Sequence, residues 1–94
     1  MPKIEVTWSA PDPEGGKRHV CARTKGDRWV FLTRARRHED WKVIAEPPLE
    51  DWLELLDGVR RRVGRHLASP KDEARLIIEI RRRFPGADVG TRGK

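Results

Sequence analysis

Arg18-His19-Val20-Cys21-Ala22-Arg23-Thr24-Lys25-Gly26-Asp27-Arg28-Trp29-Val30-Phe31-Leu32-Thr33-Arg34 is the stretch on which the fold turns. Two runs that lean toward β-structure, Arg18 to Thr24 and Arg28 to Arg34, flank Lys25-Gly26-Asp27. Glycine accepts positive φ at the first central position of a type II′ turn, so Gly26-Asp27 reads as a two-residue hairpin loop. That loop length also sets the faces, because side chains alternate along a strand. It places Val20, Ala22, Trp29, Phe31 and Thr33 on one side, and His19, Cys21, Arg23, Val30, Leu32 and Arg34 on the other. A three-residue loop would shift that parity.

Upstream, Ile4, Val6 and Trp8 alternate with Lys3, Glu5 and Thr7, the period of a half-buried strand over residues 3 to 9. Pro11-Asp12-Pro13-Glu14-Gly15-Gly16 supports turns and predicts an exposed loop. Downstream, Trp41 to Ala45 is a short edge-like strand that stops before Pro47-Pro48. From Leu49 the apolar period becomes helical, with Leu49, Trp52, Leu53, Leu56, Val59, Val63 and Leu67 forming one stripe. Its early residues are acidic and its later ones basic, as the helix macrodipole favours. Ser69-Pro70-Lys71-Asp72 then reads as a fresh start, with Ser69 as N-cap, Pro70 at N1 and Asp72 at N3. A second helix with the stripe Leu76, Ile77, Ile80 and Phe84 runs to Pro85-Gly86.

The expected fold is therefore α+β, a two-layer sandwich in which an antiparallel four-stranded meander is followed by two C-terminal helices, ββββαα. Both helices are expected on the face of Val20, Ala22, Trp29 and Phe31, with Trp29 and Trp52 largely buried. One domain over residues 1–86 and a polar tail over 87–94 complete the expected organisation.

With 94 residues there is room for one core, which excludes a two-domain enzyme. Leu, Ile, Val and Phe number 21, so that core is thin, and Trp8, Trp29, Trp41 and Trp52 are expected to supply much of the buried area. The chain has no Asn, Gln or Tyr and carries 15 Arg to 6 Lys, a composition like that of heat-adapted proteins or of a high-GC genome; in heat-adapted proteins part of an arginine excess serves stability rather than binding. One cysteine forms no internal disulfide, which makes a reducing cytoplasm the expected location. No apolar run approaches the roughly 18 residues of a membrane span, and the N-terminal residues lack the pattern of a secretory leader.

Chemistry-bearing motifs are absent from the pattern. His19, Cys21, His38 and His66 do not follow the spacings of metal sites, so no metal or other cofactor is implied. Cys21 sits between His19 and Arg23, which would lower its pKa, yet no Cys–His nucleophile signature surrounds it. His38-Glu39-Asp40 reads as a polar connector, and no nucleophile elbow or phosphate-cradling glycine loop occurs, so no catalytic residue is assigned. Lys25-Gly26-Asp27-Arg28-Trp29-Val30 departs from the RNA-recognition pattern where Asp27 and Arg28 replace an aromatic and a small residue, and no helix precedes the strand.

Charge is the remaining signal. The net charge of +6 is concentrated in residues 17–46, where nine basic side chains meet four acidic ones, while residues 47–68 are neutral. Arg28, Arg34, Arg36, Arg37 and Lys42 are accordingly the expected contacts to backbone phosphate, which points to DNA or RNA as partner. Helix arginines are different: Glu79 is placed to pair with Arg82 and Arg83, and Asp57 with Arg60 and Arg61. The competing class is a homodimer or protein-interaction module built on the apolar strip of Cys21, Val30 and Leu32.

Overall fold

Gly26 adopts φ of 66° and Lys25 pairs with Arg28, so the hairpin closes over two residues as its glycine requires. The structure, a computed structural model, describes residues 4–12, 14–26, 28–87 and 89. Asp27, the second turn residue, lies outside them, as do residues 88 and 90–94 of the expected tail; within that tail Val89 is buried.

The element order is β1 (Glu5–Pro11), β2 (Lys17–Lys25), β3 (Arg28–Arg34), β4 (Lys42–Val43), α1 (Leu49–Gly64) and α2 (Pro70–Arg83), which is the ββββαα order. The sheet is an antiparallel meander, β1-β2-β3-β4. The chain packs as two compact units, Met1–Pro47 and Pro48–Lys94.

In the first unit the register pairs Val20 with Thr33, Ala22 with Phe31 and Cys21 with Leu32, which are the faces set by the two-residue loop. Val6 faces Ala22 and Trp8 faces Val20, so β1 adds Val6 and Trp8 to the aromatic side. Val20 and Ala22 on the central strand are small, and across them the rings of Trp8 and Phe31 meet edge to face at 6.2 Å. Val6, Val20, Ala22 and Phe31 are buried, whereas Trp29, near the turn, is only half-buried, short of the burial expected of it. Reciprocal bonds fasten the sheet corner: Ile4 N donates to Thr24 Oγ1 at 3.2 Å and Thr24 N to Ile4 O at 3.1 Å.

β1 runs two residues further than the alternation predicts, through Pro11, which is tolerable because β1 is an edge and Pro needs no ladder donor there. The loop behind it is closed by Asp12 N donating to Gly16 O at 2.8 Å and by Gly15 at φ of 95°. β4 is shorter than expected, two residues instead of five.

In the second unit α1 stops at Gly64. His66 at φ of 63° stands where a helix terminus ordinarily takes glycine, with His66 N donating to Val63 O and Leu67 N to Arg62 O, a Schellman closure. Leu67 is thereby carried past the helix and is 66% exposed, which removes it from the expected stripe. Trp52, Leu55, Leu56 and Val59 are the fully buried set, and Leu55, absent from the expected stripe, replaces Leu53. Asp51 is buried as well, in the first turn where the helix dipole favours a carboxylate.

α2 begins as the sequence requires. Ser69 Oγ accepts from Lys71 N at 3.0 Å and Asp72 Oδ2 accepts from Ser69 N at 3.0 Å, a capping box with Pro70 behind it. Leu76 and Ile80 are buried, while Ile77 and Phe84 are half-buried. Arg60 reaches from α1 to Glu73 of α2 at 2.9 Å, and Arg61 holds Asp57 at 2.7 Å.

Candidate nucleic-acid interface

The five cations singled out from the sequence fall in three places. Arg36 and Arg37 lie in the β3–β4 connector, where Glu39 N donates to Arg36 O at 3.0 Å and so closes a turn beneath them. Every residue from Ala35 to Trp41 is exposed. Among the described residues the side chains of Arg36 and Arg37 make no ion pair or hydrogen bond.

Arg34 ends β3 and is tied down differently. Its guanidinium carbon lies 4.3 Å from the centroid of the Trp41 ring, and its Nε is buried without a hydrogen-bond partner among the described residues. The β3–β4 register explains the pairing: Leu32 faces Val43 and Thr33 faces Lys42, so the next step places Trp41 opposite Arg34 just beyond the ladder. A stack of this kind is worth about 0.5–2 kcal/mol, depending on how well water is excluded.

The other two cations stand apart. Lys42 is exposed but belongs to the opposite sheet face, in register with Thr33. Arg28 is exposed beside the hairpin turn, six residues from Arg34 and hence ~20 Å away along the strand. The connector thus groups Arg34, Arg36, Arg37 and Trp41, with Arg28 and Lys42 outlying.

Trp41 is the residue that sequence reasoning missed, since all four tryptophans were expected to fill the core. Only Trp52 is fully buried; Trp8 and Trp29 are half-buried and Trp41 is 37% exposed. Its position one residue before the short strand, next to His38-Glu39-Asp40, was the available signal, because a large apolar residue following an acidic connector has little to bury against.

The strip of Cys21, Val30 and Leu32 does share one face. Cys21 and Leu32 are 5% and 7% exposed and Val30 is half-buried, so the apolar surface left open in that row is Val43, paired with Leu32 and 69% exposed. The Cys21 thiol is far from a thiolate. Burial pushes it up to about 11, the Glu5 carboxylate adds to this by its charge and by accepting the thiol proton in a hydrogen bond, and Arg23 and Arg34 oppose it. The lowered pKa expected from His19 and Arg23 does not arise, because desolvation outweighs the cations.

His19 and Cys21 share a face, yet among the described residues no three His, Cys, Asp or Glu side chains gather as a metal-binding group. No helix in the described residues is long and apolar enough to cross a membrane. Set against protein-family models, curated proteins and solved structures, the chain matches none.

Proposed function

We propose that the protein is a small binding domain that holds nucleic acid by its phosphate backbone through the β3–β4 connector. Arg36 and Arg37 supply the central contacts, Arg34 stands beside them at the end of β3, and Arg28 and Lys42 are outlying contacts. The observation that carries this reading is the state of Arg36 and Arg37, two exposed guanidinium groups whose side chains engage no described carboxylate. Charges in that condition are available to phosphate oxygens, and phosphate contacts set affinity without reading sequence. A lone buried thiol fits a reducing compartment, so a cytoplasmic location belongs to the same reading.

The test is a titration of the protein against mixed-sequence DNA and RNA at two salt concentrations, beside a sizing measurement. Binding should weaken steeply with salt, on duplex DNA by roughly 0.9 in log–log slope for each phosphate engaged. Absence of binding even at low salt overturns the reading.

A second reading rests on Val43, which leaves an apolar side chain open on a two-residue edge strand. Edges of this kind pair with other chains. If sizing finds a dimer that Val43→Asp converts to monomer, a protein-interaction module replaces the nucleic-acid reading. Leu32→Asp would not serve as that test, because Leu32 is buried and a carboxylate there would disrupt the fold itself.

A further inference from the structure

We infer that Trp41 is a base-stacking position, so that the nucleic acid held by this domain is a single strand; this deepens the phosphate-binding reading above and rests on it. Three observations converge on the ring. Arg34 lies against it at 4.3 Å from the centroid, which occupies one side and fixes the indole at the end of a strand rather than on a free tether. The residue nevertheless keeps 37% of its surface exposed, although a tryptophan is among the costliest side chains to leave in water. Arg36 and Arg37, exposed and disengaged among the described residues, stand five and four residues before it.

The charges around the ring divide the labour. Glu39 and Asp40 are exposed immediately before Trp41 and repel phosphate, so the space over the indole suits an uncharged group flanked by phosphates placed further off, toward Arg36 and Arg37. An unpaired base is such a group. Every base has a π-face that stacks on an aromatic ring, and an arginine on the ring's other side extends the stack. In a duplex those faces are hidden between neighbouring pairs, so a stacking position selects single strands, loops or ends.

The test uses the whole chain and three labelled probes of about twelve nucleotides, within the site sizes of single-strand-binding domains. They are a thymidine strand, its duplex with the complementary strand, and an abasic deoxyribose-phosphate strand that keeps the charges without the bases. At low salt the thymidine strand should bind roughly 5- to 150-fold more tightly than the abasic one, the range set by stacking of one base. Trp41→Ala should close that gap, and Trp41→Phe should retain part of it. Because W41F removes one fluorophore, the difference between wild-type and W41F emission isolates Trp41, and thymidine but not the abasic strand should quench it. That reading holds even if W41A fails to fold.

Equal wild-type affinity for thymidine and abasic strands, or preference for the duplex, overturns the stacking inference and leaves the phosphate reading standing. If none of the three probes binds at low salt, the phosphate reading fails and the stacking inference falls with it.

Discussion

The β3–β4 connector and the last turn of α2 both concentrate arginine, and they dispose of it in opposite ways. In α2, Glu79 holds Arg83 at 2.7 Å and Arg82 at 3.5 Å, and Arg83 also lies over the Trp52 ring at 5.1 Å. A helix brings residues three and four apart together, so one glutamate absorbs two cations with no help from tertiary structure. In the connector the backbone turns, its two carboxylates follow the arginines on an exposed loop, and Arg36 and Arg37 stay disengaged among the described residues. Clusters of the same residue type therefore differ in state, and local geometry decides which of them is left disengaged.

The largest effect expected is on binding. Arg36→Ala together with Arg37→Ala should flatten the salt dependence on duplex DNA by roughly 0.9 for each phosphate no longer engaged, and should weaken every sequence alike. Arg82→Ala with Arg83→Ala should leave the slope unchanged and cost about 0.2–0.5 kcal/mol for each helix pair removed, plus about 0.5–1 kcal/mol for the Arg83 stack on Trp52, read by denaturation. If the two double variants change the salt slope equally, the contrast between the clusters is broken. Arg34 is kept out of the first variant because its removal would also release Trp41.

A second expectation sharpens the contrast between the open connector and the sealed row beside it. The folded thiol of Cys21 titrates near 11 against an ordinary 9.0, so the unfolded chain loses its proton first as pH rises. Its contribution is complete below pH 9 and is lost between about pH 9 and 11, at no more than about 1.4 kcal/mol per pH unit. Subtracting the pH profile of Cys21→Ser from that of the wild type isolates it, since the lysines titrating nearby are common to both. A flat difference profile across that range would show that the thiol is open to water.

On binding, the smallest effect expected, none at all, belongs to a change confined to the helical unit. Ser69→Ala removes the acceptor for Lys71 N and should cost about 0.5–2 kcal/mol by denaturant midpoint, with affinity for nucleic acid unaltered. A change in affinity at equal foldedness would tie the helical unit to binding and count against the proposed placement of the contacts in the connector.

Much of the architecture was legible because its signals are local. Turn chemistry at Gly26 acts over four residues, and with the loop length known, alternation assigns every side chain of β2 and β3 to a face. The capping box at Ser69 and the Glu79 pairs act within one helical turn. Where α1 ends was less legible, because the apolar stripe continues to Leu67 although the helix stops at Gly64 and His66 takes the left-handed position, leaving Leu67 outside.

What the amino-acid order determined by itself is thus the element sequence, the hairpin register and the segment that holds the free charge, each set by interactions a few residues long. Tertiary structure alone decided the chemistry within that segment. Arg34 and Trp41 are seven residues apart and meet only because β4 returns in one particular register, which an irregular connector does not encode in any periodic pattern. Likewise Cys21 lies between a histidine and an arginine in the chain, where cations would dominate, but burial and Glu5 from the adjacent strand reverse the sign. Desolvation depends on everything packed around a group, and no run of neighbouring residues contains that information.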